Sequence, residues 1–265
     1  MRARRHALAV VVTTMLAAAA CGGSSPGAGG SSGGSPGGTL NVFAAASLVN
    51  AFGDLETVYE QQHPGWKVTL NLAGSDQLAA QIEQHAPADV FAAASPRYPE
   101  QLQGQNLLGK TTSFATNSLL LVTPRANPAG IRTVSDLGRR DAKIVVADPA
   151  VPLGSYTEAV LGNLGIDESG LHIVSKEQDA EAVLAKLTSG EADAGFVYVT
   201  DALAQKAKLH EIRFPASADA TATYPIGIVS YSENTKAAQQ WIDLVKGARG
   251  QAVLKRFGFG PAPTA

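Results

Sequence analysis

Two serines, Ser47 and Ser75, each stand directly after a short apolar run and directly before a stretch with helical periodicity. A hydroxyl at such a point shares the positive end of a helix with backbone N–H groups that have no intrahelical partner. That combination suits the binding of an anion by uncharged donors. Two further turns fit the pattern, Asp148 to Gly154 (DPAVPLG) and Gln178-Asp179-Ala180. None of the four turns contains a basic residue, and the nearest is Lys176. An anion held there meets hydroxyls and amides alone. The same serines also suit the plainer role of N-caps serving only their own helices. Residue patterning by itself leaves both readings open.

Other chemistry is poorly represented. The chain has no G-x-S-x-G elbow, no phosphate-binding P-loop and no H-E-x-x-H. His63, His85, His172 and His210 are isolated, with no pair at metal-ligand spacing. The carboxylate pairs Glu177/Asp179 and Glu191/Asp193 sit near helix starts and turns, where caps and solvated charges are expected. A serine hydrolase would need a histidine base near Ser47 or Ser75, and neither turn contains one. No enzyme and no cofactor are expected.

The elements that must position these turns alternate. Thr39 to Ala45 reads as a buried strand, and Ser47 to Gln62 as a helix with Ser47 at its N-cap. Trp66 to Leu72 alternates as a second strand, and Gly74-Ser75-Asp76 opens a second helix. Strands follow at Asp89–Ala94, Leu119–Val122, Lys143–Ala147, Gly195–Val199, Glu211–Phe214 and Pro225–Tyr231. Helices are expected at Tyr156–Leu164, Ala180–Leu187, from about Thr200, at Lys236–Val245 and at Arg249–Phe257. Alternation of this kind implies mostly parallel sheets covered by helices, an α/β fold. About nine strands are many for one open sheet, so two lobes with a cleft between them are expected. Ligands then sit where strand ends meet helix starts.

Composition narrows the class further. The chain has 265 residues, 45% of them hydrophobic and 17% charged, with net charge −2. There is enough apolar mass for a core, and no basic excess to wrap nucleic acid. Arg2, Arg4 and Arg5 precede an apolar run to Ala20, which reads as a secretory signal over residues 1–20. Small residues then lead to Cys21, the only cysteine, in a pattern that resembles a bacterial lipobox. Lipidation at Cys21 is therefore expected. Residues 22–38 are all Gly, Ser, Pro or Ala and make a tether with a reach of roughly 20–25 Å. Loss of the first twenty residues leaves 18 basic against 23 acidic side chains, a net charge of −5.

Several phrases resemble the periplasmic molybdate-binding proteins of ABC transporters. They are AAASLVNAF (residues 44–52), IEQHAPADVF (82–91), NSLLLV (117–122), DPAVPLG (148–154), FVY with Asp201-Ala202, Tyr224-Pro225-Ile226, and RFGF (256–259). They run in order over Thr39 to Gly260. The resemblance implies a two-lobed type II periplasmic-binding fold that closes on a tetrahedral oxyanion, molybdate or tungstate. By motif, the ligand is met by the hydroxyls of Ser47, Ser75 and Tyr198 and by the amides of Leu153 and Ala180. Molybdenum is met only through its oxygens, by Ser47, Ser75 and Tyr198. Gly74 stands where the family commonly has a further serine. The lobes are expected at 39–117 plus 228–265 and at 118–227, with crossings near Asn117–Leu121 and Tyr224–Ile228. The resemblance also implies delivery to a membrane permease, by a monomer held at the outer face of the cell membrane. Binding of sulfate or another oxyanion by the same fold is the main alternative. A serine hydrolase and a surface lipoprotein with no small ligand are the others.

Overall fold

The computed structural model describes residues 37–139 and 141–263. The signal segment, Cys21 and nearly all of the tether lie outside the described residues. In the first lobe β1 (Gly38–Ala45), β2 (Trp66–Ala73), β3 (Val90–Ala92), β4 (Thr112–Asn117) and β10 (Ala222–Ile228) form one sheet in the order β2-β1-β3-β10-β4. In the second, β5 (Leu119–Pro124), β6 (Ile144–Ala147), β7 (Ile173–Glu177), β8 (Ala194–Tyr198) and β9 (Leu209–Ile212) form another, ordered β7-β6-β8-β5-β9. Only β10 runs against its neighbours in the first sheet, and only β5 in the second. Each sheet is thus mostly parallel.

Parallel strands buried on both faces need apolar residues in both phases of the pleat. β1 supplies them. Leu40, Val42 and Ala44 turn toward Leu48, Phe52, Leu55 and Tyr59 on α1 (Val49–Gln62) and its approach. Phe43 turns to the other face, with Leu78 and Ile82 of α2 (Ser75–Glu83) and Leu102 of α3 (Arg97–Gly104). Trp241 of α7 (Thr235–Lys246) closes the first face, its ring edge-on to Phe52 at 5.4 Å and to Tyr59 at 5.7 Å. The chain then ends in α8 (Ala248–Arg256). In the second lobe α4 (Pro152–Asn163) and α5 (Ala180–Ser189) cover β6 and β8, and α6 (Val199–Ala204) follows β8 directly. Asp89, in the APAD phrase, has a structural role. Its carboxylate accepts from the Asn41 N–H at 2.8 Å and from Ser232 Oγ at 2.6 Å, tying β1 to the segment after β10.

The structure adds elements to the sequence expectations and changes one connection. β4, β7 and α3 appear where no element was expected. β4 (TSFATN) is polar, and β7 (IVSKE) is a half-exposed edge strand, so neither carries a clear apolar pattern. Pro99 obscures α3, yet it lies in the first turn, where a missing N–H costs nothing. A further difference concerns connectivity. The strand Ala222–Ile228 pairs with β3 and β4, so the chain re-enters the first lobe between Ile212 and Ala222 rather than at Tyr224–Ile228. Pro225 is accommodated there at a bulge between Tyr224 and Pro225. The first crossing falls at Ser118, between β4 and β5.

Candidate functional site

The strand ends of both sheets face each other, and the helices that follow them begin there. Ser47 lies in a 3-10 turn, Ala46–Leu48, interposed between β1 and α1. It is not the N-cap of α1, because Leu48 holds that place without a side-chain bond. Its Oγ instead lies 2.9 Å from Tyr224 Oη. Ser75 is the first residue of α2, after Gly74 at the N-cap. Its Oγ accepts from the Ala94 N–H at 3.1 Å. Neither hydroxyl serves its own helix, which removes the plainer N-cap reading for both.

Leu153 is the second residue of α4, after Pro152. Ala180 is the first residue of α5, whose N-cap Asp179 accepts from the Ala182 N–H at 2.8 Å. That leaves the amides at the very start of both helices without an intrahelical acceptor. Tyr198 ends β8 at the N-cap of α6. All five of these residues, Ser47, Ser75, Leu153, Ala180 and Tyr198, line one cavity, together with Gly74, Ala94 and Gln178. The space between these residues is about 300 Å³, part of it open to solvent.

Two glycines let these elements approach. A Cβ on Gly154 would lie 2.0 Å from the Asp148 carbonyl oxygen, so only glycine lets α4 begin against the end of β6. A Cβ on Gly74 would lie 2.5 Å from Asp76 Oδ1 and 3.1 Å from the Gln178 carbonyl oxygen of the other lobe. The serine common at this place in the resembling family would therefore not fit here unless Asp76 moved. The lobes also meet through Gln77 Nε2 donating to Gln178 Oε1 at 3.2 Å, and through the Tyr98 hydroxyl donating to the Ala150 carbonyl.

No Lys, Arg or His lines the cavity. Burial holds the Tyr198 phenol well above its ordinary value, with Tyr224, Tyr156 and Asp201 adding to the effect. It keeps its proton at any physiological pH and is a permanent donor. The Tyr198 side chain is 2% exposed, and its hydroxyl finds no hydrogen-bond partner among the described residues. Burial also pushes the Asp76 carboxyl up, and the carboxylates of Asp148 and Asp179 across the cleft push in the same direction. No group of His, Cys, Asp and Glu among the described residues is arranged to hold a metal ion. Asp179 also lines the cavity, with its carboxylate engaged by the Ala182 N–H; the remaining chemistry is donation of hydrogen bonds to an acceptor-rich guest. Sequence reasoning assigned no role to Tyr224, Asn117 and Thr200, which stand behind Ser47. Tyr224 and Asn117 lie in two of the quoted phrases, but nothing in their spacing signals contact.

The model of bacterial extracellular solute-binding proteins matches residues 40–260. The chain belongs to the bacterial extracellular solute-binding protein family. Among relatives of this solute-binding protein, the molybdate-binding protein ModA of Mycobacterium tuberculosis is 38% identical over 221 residues, covering 82% of this chain and 83% of the relative. The Escherichia coli molybdate-binding protein ModA is 30% identical over 230 residues, covering 84% and 89%. Among solved structures, the Azotobacter vinelandii periplasmic molybdate-binding protein superposes with a TM-score of 0.75 at 23% identity, covering 85% of this chain and all of that one.

Proposed function

We propose that this solute-binding protein captures molybdate, and tungstate with it, outside the cytoplasm and hands it to the permease of an ABC transporter. The observation that carries this reading is the buried, permanently protonated Tyr198 hydroxyl at a cavity formed by helix starts and lined by no Lys, Arg or His. Molybdate-binding relatives of nearly full length support the choice of ion. In this reading Ser47 and Ser75 donate hydroxyl protons from the first lobe, and the Tyr198 hydroxyl and the amides of Leu153 and Ala180 donate from the second.

The physical basis is solvent exchange. A dianion entering the cleft gives up its hydration and needs fixed donors in return. Hydrogen bonds to a charged guest contribute on the order of 1.5–3 kcal/mol each, and each helix start adds roughly 0.3–1 kcal/mol. The donors come from both lobes, so the ion gains its full set only when the lobes are together. Ligand thereby favours the closed form, which is the form a permease reads.

Calorimetric titration with molybdate, tungstate and sulfate tests the reading. Saturable heat with the first two is expected. Heat with sulfate and none with molybdate would assign the site to a different oxyanion. We further propose lipidation of Cys21, with the mature protein acting as a membrane-anchored monomer on its Gly/Ser-rich tether; two or more acyl chains make such anchoring stable. Cys21→Ser should move the protein to the soluble fraction and leave ligand binding intact. Continued partitioning into detergent would exclude that anchor.

A further inference from the structure

Behind Ser47, outside the cavity lining, three buried side chains form a hydrogen-bonded chain. Asn117 Nδ2 donates to Thr200 Oγ1 at 3.0 Å and to Tyr224 Oη at 3.4 Å, and Tyr224 Oη lies 2.9 Å from Ser47 Oγ. An amide nitrogen only donates. Tyr224 Oη therefore receives a proton from Asn117; either oxygen can donate in its contact with Ser47, and the order we assign has Tyr224 donating to Ser47 Oγ. Ser47 accepts from Tyr224, and its proton is left for the cavity. Burial raises the Tyr224 phenol as it does Tyr198, so the chain does not lose its proton. The opposite orientation of the Asn117 amide would strand two buried N–H protons, whereas this one strands only Oδ1. Stranded donors are the rarer case in folded proteins.

We propose that Asn117 and Tyr224 are positioning residues that keep the Ser47 proton for the ligand, so that preference for a fully deprotonated oxyanion over one carrying an O–H is strengthened from outside the cavity. The proposal rests on the oxyanion reading above and deepens it. A free serine hydroxyl can accept as readily as it donates, and would tolerate the O–H of a monoprotonated guest such as hydrogen phosphate. With Tyr224 donating to it, Ser47 does not spend its proton on Tyr224, and one of its two lone pairs is already taken. Asn117 is the last residue of β4, one residue before the crossing, and Thr200 belongs to the second lobe. The amide that aligns the protons is thus bonded to both lobes.

The test is a double-mutant cycle read by calorimetric titration with molybdate and with inorganic phosphate. Tyr224→Phe removes one oxygen from a side chain that otherwise keeps its packing. It is expected to weaken molybdate binding about tenfold and to narrow the ratio of molybdate to phosphate affinity. In a Ser47→Ala background the same change should cost no more than about twofold, since the group it aligns is gone. Equal losses in the two backgrounds, or an unchanged ratio, overturn the proposal. Asn117→Asp keeps the shape and replaces the donor by an acceptor, reversing the chain. It should weaken molybdate binding at least as far as Tyr224→Phe does, again chiefly when Ser47 is present. Unchanged affinity in Asn117→Asp would mean that the amide oxygen faces Tyr224, and overturns it too. A wild-type protein that binds neither ion removes the oxyanion reading and the relay together. A wild type that binds, with variants whose losses simply add, removes the relay alone.

Discussion

Ser75 Oγ accepts a hydrogen bond from the Ala94 N–H at 3.1 Å, so one hydroxyl at the cavity is also the acceptor for a backbone amide that follows β3. Ser75 is 1% exposed. One of its two lone pairs is taken by that amide, and its proton is free to be donated. Ser75→Ala should therefore act twice. It leaves the buried Ala94 amide without an acceptor, at a cost of about 1–3 kcal/mol in stability, and it removes a ligand donor. Ser47→Ala leaves no backbone group unpaired and should weaken binding with less effect on the fold. Thermal unfolding and titration of the two variants check the contrast. Equal losses of melting temperature would show that the Ala94 bond contributes nothing.

The strands and helices around the cavity were legible because their apolar periodicity is strong. β1, with Leu40, Val42 and Ala44 on one face and Phe43 on the other, is the clearest case. The cavity residues could be named because they fall at strand-to-helix turns within phrases that resemble a known family. Their partners could not. Ser47 meets Tyr224 across 177 positions of sequence, and Asn117 meets Thr200 across 83. Such contacts follow from the order of strands in the sheets, which local patterning does not carry. The assignment of Ala222–Ile228 to the first lobe was hidden for the same reason, since an apolar strand suits either sheet.

Gly154 marks where the start of α4 is pressed against the end of β6. Its substitution by alanine places a Cβ 2.0 Å from one backbone oxygen and 2.7 Å from another, Ala147 O. Backbone cannot yield as a side chain does, so α4 must shift away from the cavity. Gly154→Ala is expected to lose about 2 kcal/mol or more of stability and to weaken ligand binding along with it. A melting temperature equal to wild type would show that the helix start has slack.

Asp201 gives stability a pH dependence of definite sign. Its Oδ2 accepts from the Tyr198 N–H at 3.2 Å, and burial pushes its carboxyl up to about 7, with Asp179 and Glu181 adding to the rise. Between roughly 4 and 7 the folded chain holds a proton that the unfolded chain has released, so this group's contribution to stability falls as pH rises through that window. Asp201→Asn keeps an acceptor for the Tyr198 amide and removes the charge. It should raise the melting temperature by about 2–4 °C at pH 8 and leave it nearly unchanged at low pH, where the carboxyl is already neutral. A gain of the same size at both ends of the range would place the cause elsewhere.

Tyr198 separates folding from binding. Its hydroxyl is buried beside the cavity with no partner among the described residues, while its ring packs edge-on against Tyr224 at 6.3 Å between centroids. Burying an unpaired hydroxyl costs free energy in the ligand-free protein, and the ring contact does not depend on it. Tyr198→Phe should therefore leave the ligand-free melting temperature equal to wild type or slightly higher. With molybdate the order reverses. The wild type gains the bond to the ion and the variant does not, so affinity should fall roughly ten- to a hundredfold and the ligand-induced rise in melting temperature should shrink with it. Paired thermal unfolding with and without millimolar molybdate reads both effects in one experiment. A variant that is less stable without ligand yet binds with full affinity would remove Tyr198 from the site and make its hydroxyl a structural group after all.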